Sequence, residues 1–141
     1  MSGVSPLRVA AAAGSAFVAS SAWYAAFGSR LARLDEAYAG PAPSPAVVAP
    51  VEVLRTGVLA TGVSLLADRL PVRGPRGALA LGAGLWVTFP VVLLTGSVFH
   101  EKVPWQQAAI HGGDWLAKLL LVSAVVAARP QRTAPGRRRS G

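Results

Sequence analysis

The stretch Gln107-Ala-Ala-Ile-His-Gly-Gly-Asp-Trp-Leu-Ala-Lys118 runs directly into the apolar block of residues 119–128, and it decides how the fold is interpreted. At roughly 100° per residue, an α-helix places four polar side chains of this stretch within about 60° of one another. These four, which we call the polar stripe, are Gln107, His111, Asp114 and Lys118. Ionisable groups therefore share one face of a segment whose remaining residues are suited to lipid.

The composition of the chain indicates an integral membrane protein. Of its 141 residues, 52% are hydrophobic and only 14% are charged, and the mean hydropathy is +0.46. A soluble domain carries about 25% charged residues, so this chain lacks the material for a fully solvated surface. The length suffices for one domain, around much of which lipid is expected to replace water.

The net charge of +8 is carried by basic residues at the edges of apolar runs. Lys and Arg at such positions suit anionic headgroups, so membrane lipids are the expected partners, with anionic lipid at the basic loop 68–76 and at the tail 129–141. The run Arg137-Arg138-Arg139 has no aromatic neighbour that could stack on bases, and no nucleic-acid partner is expected. The absence of cysteine excludes disulfides, thiolate catalysis and cysteine-ligated metal sites.

Four apolar segments predict an all-α membrane protein built as a bundle of four transmembrane helices. The predicted helices cover residues 7–27, 47–67, 77–99 and 105–128 of one integral membrane domain, 1–128, which a disordered basic tail follows at 129–141. About 20 predominantly apolar residues are enough to cross a hydrocarbon core of about 30 Å. Pro90 is expected to kink the third helix because proline lacks an N–H group.

Small residues spaced about one helical turn apart predict where helices approach one another in lipid. They form three sets: Ala12, Ala16 and Ser20; Gly57, Thr61 and Gly62; and Ala80, Gly84 and Thr88. The first segment also fits a second interpretation, a cleaved signal peptide with Ser20-Ser21-Ala22 as its cleavage site. Its apolar run is long for a signal core, which favours a retained helix.

The connections between the segments hold most of the other charges. Residues 30–46 end in the proline-rich run Gly40-Pro-Ala-Pro-Ser-Pro45, and the part at 30–39 is either a short interfacial helix or a plain loop. Glu52 and Arg55 stand three apart near the start of the second helix, where they can pair or reach toward the headgroups. They form a secondary charged pair, for which an interfacial position is favoured over one buried among helices.

The distribution of basic residues predicts the orientation of the chain. With four spans, the N-terminus, the loop 68–76 and the tail lie on one side and hold nine Lys and Arg residues, whereas the opposite loops hold three. This positive-inside bias predicts that both termini are cytoplasmic. The aromatic ends of the helices then fall at the outer interface; they are Trp23, Tyr24, Phe27, Phe99 and Trp105.

Several short motifs of the chain occur together: Trp23-Tyr24 followed by Phe27-Gly28, a glycine-rich third span, the turn Phe99-His-Glu-Lys and a glycine-containing fourth helix. With these motifs, most of residues 7–128 resembles the domain-of-unknown-function family 1761, small bacterial membrane proteins with four helices. The resemblance implies a multi-pass protein of a bacterial inner membrane and supplies no catalytic residues. Relatives show an Asn-Ala-Gly-aromatic stretch where this chain has His111-Gly-Gly-Asp114.

The polar stripe leaves two interpretations open. Inserting Asp or Lys near the bilayer midplane costs about 2.5–3.5 kcal/mol each, so the stripe must face other helices or water. In the first interpretation, Asp114 and Lys118 neutralise each other within a structural, accessory or self-associating protein, whose partner is a second copy or another membrane protein. In the second, His111 and Asp114 carry protons or bind a small polar or cationic solute in a small transporter.

An intramembrane enzyme is the least favoured class. His111 and Asp114 alone form neither a catalytic triad nor a complete metal set, so no catalytic residue, metal site or cofactor is expected. Gly112-Gly113 lacks the strand-to-helix context of a phosphate-binding loop. It is expected to permit a close helix crossing or to loosen the helix locally.

Overall fold

The computed structural model describes residues 4–72 and 74–128, and every regular element in these ranges is helical. The elements are α1 (Pro6–Leu34), a 3₁₀ helix (Glu36–Tyr38), α2 (Pro45–Arg69), α3 (Gly74–Trp86), a π-helical segment (Val87–Val91), α4 (Val92–His100) and α5 (Trp105–Ala127). From α3 to α4 the chain is one helix, Gly74–His100, which we call the third span. Four helices of the described ranges are long and apolar enough to cross a membrane, which confirms the predicted fold class. The predicted disordered tail lies outside the described residues.

α1 ends later than the sequence predicts. It continues past residue 27 to Leu34, where Asp35 closes it in an extended conformation. Asp35 also caps the 3₁₀ helix, because its Oδ1 accepts a hydrogen bond from Ala37 N at 2.9 Å. The segment 30–39, for which an interfacial helix and a loop were both open, is therefore helical for most of its length.

The third span is regular α-helix except where Pro90 interrupts it. Proline has no N–H to donate to the carbonyl of Trp86, and the helix widens into π-helical turns at Val87–Val91. Pro90 is buried, whereas the adjacent Phe89 is exposed. The irregularity that this proline predicts thus takes the form of a local change in helix type.

α5 is the central helix of the bundle. It packs against α1, α2 and α3, and 44% of its most apolar window is buried, against 17% in each of the other three spans. The hydrophobic core joins α5 to α1 and α2; it consists of Ala12, Ala16, Ala60, Val63, Ala67, Leu119, Val122 and Val126. The polar stripe therefore lies on the most enclosed helix of the bundle.

The two ends of the bundle differ in what they carry. The loop end carries the connections 35–44 and 101–104, and the terminal end carries Ser5, the turn at 70–72 and Ala128. α1 and α5 are antiparallel, because Tyr24 contacts His111 near the loop end and Ala12 clusters with Val122 nearer the terminal end. With an equal rise per residue, this register sets Ser20 opposite Asp114 and Ala16 opposite Lys118.

Some of the small residues lie in the interior of the bundle, and others lie on its exterior. Ala12, Ala16 and Ser20 are buried within the bundle, as their spacing predicts. At the crossing of α3 and α5, a Cβ atom on Gly82 would lie 2.8 Å from the main-chain oxygen of Leu119, so only glycine fits this approach. The set on the third span faces outward; its members Ala80, Gly84 and Thr88 are all exposed.

Candidate functional site on the central helix

The polar stripe lies along the interior of the bundle. Gln107, Asp114 and Lys118 are 6%, 2% and 3% exposed, and His111 is half-buried. Because α5 begins at Trp105 and rises about 1.5 Å per residue, His111 lies about 9 Å and Asp114 about 13 Å from the loop end of this helix. The stripe therefore leads from the loop end to the middle of α5.

His111 is held at both ring nitrogens by tyrosines. The Tyr24 hydroxyl lies 2.8 Å from Nδ1, and the Tyr38 hydroxyl lies 3.0 Å from Nε2. In either tautomer of a neutral imidazole, one nitrogen donates a hydrogen bond and the other accepts one, so each tyrosine has a complementary role. The imidazole thereby joins α5 to α1 and to the 3₁₀ helix.

Gln107 joins the connection 35–44 to α5. Its Nε2 donates a hydrogen bond of 3.1 Å to Asp35 Oδ2, while Asp35 Oδ1 caps the 3₁₀ helix that carries Tyr38. Gln107 Oε1 is buried and has no hydrogen-bond partner among the described residues. Asp35 thus fixes the short helix at one oxygen and the central helix at the other.

Two tryptophans donate hydrogen bonds to the main chain of α5 beside the stripe. Trp23 Nε1 lies 3.0 Å from Ile110 O, and Trp86 Nε1 lies 2.8 Å from Gly112 O. The ring of Trp23 occupies space that a side chain on Gly113 would need, because a Cβ there would overlap Trp23 Cζ2. The pair Gly112-Gly113 therefore leaves room for the indole of Trp23. Trp23 of α1 and Trp86 of α3 both bind the main chain of α5 near the level of His111.

Asp114 and Lys118 form a buried ion pair near the middle of α5. Lys118 Nζ lies 2.8 Å from Asp114 Oδ2, and the ammonium also lies 5.4 Å from the centre of the Trp115 ring, within the range of a cation–π interaction. The second carboxylate oxygen, Asp114 Oδ1, is buried and has no hydrogen-bond partner among residues 4–72 and 74–128.

The secondary charged pair lies on α2. Glu52 and Arg55 are hydrogen bonded to each other, and the side chain of Arg55 is 52% exposed. No hydrogen bond among the described residues joins this pair to the His111 site. Its partial exposure fits the interfacial position that the sequence favours.

The two ends of the polar stripe have different surroundings among the described residues. Tyr38, at the loop end, is 43% exposed. Beyond Lys118, α5 contributes Leu119, Val122 and Val126 to the apolar core with α1 and α2. Ser123 is fully buried there, and its hydroxyl has no partner in the described part of the chain.

Two apolar grooves lie beside the stripe. A groove of about 460 Å³ separates α2 from the third span, and Trp115 and Leu119 are among its lining residues. A second groove, of about 430 Å³, lies between the third span and α5 and reaches Gly112 and Gly113. Neither of these two grooves is lined by a residue of the polar stripe, whose side chains are joined instead by hydrogen bonds and an ion pair.

The groups of the site can form hydrogen bonds, pair charges and transfer protons. Among the described residues, no three His, Cys, Asp or Glu side chains are grouped so that they could hold a metal ion. The groups hydrogen bonded to the His111 ring are two tyrosine hydroxyls. A relay of protons along hydrogen bonds needs no cavity and remains compatible with this geometry.

The sequence does not predict the role of several residues of the site. It predicts only an interfacial position for Trp23 and Tyr24, and it predicts no contact for Asp35 and Tyr38 of the connector 30–46. Tyr24 could have been found, because it continues the buried series Ala12, Ala16 and Ser20 by one more helical turn. The Asp35 and Tyr38 contacts depend on how the connection folds back, which no local pattern reports.

Comparison with known proteins identifies the family alone. A family model described as a protein of unknown function (DUF1761) matches residues 7–127. No curated protein and no solved structure matches the chain. The match covers all four long helices and ends before the basic tail.

Proposed function

The chain belongs to the DUF1761 family of proteins of unknown function, and we propose that it is a structural or accessory protein of the bacterial inner membrane that associates with a second copy of itself. The observation that carries this proposal is the outward-facing set Ala80, Gly84 and Thr88 on the third span. These residues are exposed although their spacing is that of a close helix contact. The polar stripe, by contrast, is enclosed within the bundle.

The exposed set has the properties of a helix-packing face in lipid. Nothing lies within 4 Å of a Cβ built on Gly84, so this side of the third span has no neighbour inside the described bundle. The Thr88 hydroxyl donates a hydrogen bond to Gly84 O at 2.8 Å, so this hydroxyl is not an unsatisfied donor on the exposed face. Where lipid is as apolar as the side chains, close packing of small residues is a main source of helix association.

The polar stripe supports a structural role because its hydrogen bonds join different elements. His111 connects α5 to α1 and to the 3₁₀ helix, and Gln107 connects α5 to Asp35. The Asp114–Lys118 pair neutralises two charges within one helix, which lets α5 stay at the centre of an apolar bundle. These contacts give the bundle a fixed arrangement, on which a specific outer face depends.

Cysteine cross-linking tests self-association directly, because the natural chain contains no cysteine. In membranes, Ala80→Cys is expected to form cross-linked dimers, whereas Val18→Cys, on the 65% exposed position of α1, is expected to form none above background. Adding Gly84→Leu to Ala80→Cys should abolish the dimer. Adding Gly14→Leu should not, since a Cβ on Gly14 likewise meets nothing within 4 Å. Equal cross-linking of Ala80→Cys and Val18→Cys would exclude this interface.

A second candidate function is favoured by one specific observation. The series Tyr38, His111 and Tyr24 leads by hydrogen bonds from an exposed hydroxyl toward the buried Asp114. Such a series fits a proton-conducting or small-cation-transporting module in which Lys118 tunes the charge of the site. The closed core beyond Lys118 requires that any conducting state rearrange the terminal half of the bundle.

Reconstituted vesicles separate the two functions. Proton flux and thermal stability are measured for the natural protein, His111→Ala and Asp114→Asn. A conducting module requires flux in the natural protein that Asp114→Asn reduces while the protein stays folded. Absence of flux in all three proteins, with stability lowered in both variants, would exclude proton conduction and leave the structural function.

A further inference from the structure

The buried carboxylate of Asp114 has one oxygen in use and one free. Oδ2 is occupied by the Lys118 ammonium at 2.8 Å, whereas Oδ1 is buried and without a hydrogen-bond partner among the described residues. A buried acceptor without a donor is unfavourable, and more so when it is charged. Of the two carboxylate oxygens, Oδ1 is therefore the one at which a proton or a donating molecule is favoured.

His111 connects this carboxylate to Tyr24, because His111 and Asp114 stand three residues apart on one face of α5 and the Tyr24 hydroxyl is hydrogen bonded to His111 Nδ1. With Tyr24 opposite His111 in this antiparallel pair, Tyr24 lies about one helical turn from the level of Asp114. The tyrosine hydroxyl and Oδ1 are not hydrogen bonded directly, and one water molecule with two or more polar partners can connect such groups.

We propose that Asp114 is a proton-binding site that exchanges protons with water at the loop end only, through Tyr38, His111, Tyr24 and one bridging water molecule. This inference develops the second candidate function, yet it does not require net transport. A site loaded from one end need not release its protons at the other. The core residues beyond Lys118 close the terminal end.

The transfer balances as a concerted shift of protons along the hydrogen bonds. A hydronium ion in the outer water gives a proton to the Tyr38 oxygen, and the Tyr38 hydroxyl proton moves to His111 Nε2. The Nδ1 proton moves to the Tyr24 oxygen, the Tyr24 hydroxyl proton passes to the bridging water, and that water gives a proton to Asp114 Oδ1. One proton has entered and one carboxylate is neutralised, with no tyrosinate formed. The opposite tautomer of His111 is left behind, and the starting tautomer returns when Asp114 releases its proton along the same path in reverse.

The charged and titratable groups around the site come from three elements besides the 3₁₀ helix. α5 supplies His111 and Lys118, α1 supplies Tyr24, and α2 supplies Glu52 and Arg55, which act on Tyr24. The 3₁₀ helix adds Tyr38, and Asp35 adjoins it through Gln107. When Asp114 takes the proton at Oδ1, its Oδ2 still accepts from Lys118, but the ammonium loses its counter-charge, so the proton is bound against the cost of an uncompensated buried cation.

Infrared difference spectroscopy after a pH jump tests the site. The protein is reconstituted in vesicles in one orientation, and the carboxylic-acid band of Asp114 is identified by its loss in Asp114→Asn. Tyr38→Phe and Tyr24→Phe keep the rings and remove the hydroxyls. Each is expected to slow the rise of the band by at least about tenfold, given that a positioned proton-transfer group contributes about 10²–10⁴-fold in rate. Ser123→Ala, which removes a buried hydroxyl beyond the stripe, should keep the natural rate.

A second test compares a pH change applied at the loop end with one applied at the terminal end. Acid added at the loop end should produce the Asp114 band quickly, and acid added at the terminal end should produce it slowly. An Asp114 band that never responds to pH, equal rates from both ends, or natural rates in both phenylalanine variants would each overturn the proposal. Proton flux recorded in the same vesicles tests the second candidate function separately, since loading without flux excludes conduction and retains the binding site.

Discussion

At the scale of single residues, the Asp114–Lys118 pair shows how a charged side chain is tolerated inside a membrane helix. Both side chains are buried, and they lie in the favourable order with the acid one turn before the base. A buried pair gains little over apolar residues of the same size, because each ion loses its hydration. The loss of one partner is much more costly, since the other charge is then left uncompensated.

A double-mutant cycle measures this coupling. Asp114→Asn and Lys118→Met are each expected to lower the free energy of unfolding by about 3–5 kcal/mol, the usual range for a broken buried pair. The double variant should lose less than Lys118→Met alone, because neither charge remains. Unfolding in mixed detergent micelles gives the four free energies, and strictly additive losses would show that the two charges do not depend on each other.

The adjacent glycines of α5 give a second prediction at this scale. In Gly113→Ala the new methyl group would overlap the ring of Trp23, which must move and release its hydrogen bond to Ile110 O. Overpacking of this kind costs about 1–3 kcal/mol. In Gly112→Ala the methyl group meets only Leu94 Cδ1, at 3.4 Å, and the gain of helix propensity, about 1 kcal/mol, opposes any loss.

Thermal unfolding of the two alanine variants provides the comparison, and tryptophan fluorescence reports the position of Trp23. Gly113→Ala should unfold at a lower temperature than the natural protein, and Gly112→Ala at the same temperature or higher. A stable Gly113→Ala protein with unchanged fluorescence would contradict the tight packing of Trp23 on α5.

At the scale of helices, the third span uses its two faces differently. The face with Gly82 approaches α5 so closely that main-chain atoms of Leu119 occupy the space of a side chain, whereas the face with Gly84 is open. Two glycines only two positions apart therefore have different roles. One permits a crossing inside the bundle, and the other belongs to the proposed dimer face.

Substitution of these two glycines by alanine should separate folding from association. Gly82→Ala forces α3 and α5 apart and is expected to cost at least about 1–3 kcal/mol, since backbone atoms cannot move aside as a side chain can. Gly84→Ala should leave the unfolding free energy unchanged or raise it slightly. Stability in detergent distinguishes the variants, and a Gly82→Ala protein as stable as the natural one would show that the crossing is looser than described.

At the scale of the whole molecule, the sequence predicts the number and approximate positions of the helices because hydropathy and length determine which segments suit lipid. It does not predict the contacts of the 35–44 connection. Tyr38 reaches His111 across 73 positions of the chain, and Asp35 reaches Gln107 across 72. Such contacts depend on which helices lie next to each other, and the hydrophobic periodicity of a single segment does not predict its neighbours. The outward position of Gly84 is unforeseen for the same reason.

The orientation of the bundle is the last property that the sequence predicts. Nine basic residues on the side of the termini, against three on the other, predict that the terminal end lies in the cytoplasm and the loop end outside. Ala39→Cys, at the exposed loop end, should react with a membrane-impermeant maleimide in intact cells. Leu70→Cys, exposed at the terminal end, should react only after the cells are permeabilised.

Changing the charges themselves tests the cause of this orientation. If the basic residues fix it, replacing Arg69, Arg73 and Arg76 by Gln should let part of the Leu70→Cys population react in intact cells. Replacing Arg30 and Arg33 in the same way should leave the labelling pattern unchanged, because it deepens the existing bias. Reaction of Leu70→Cys in intact cells with all arginines present would reverse the assignment. The proton-access path through Tyr38 would then open to the cytoplasm, although its route through the protein would be the same.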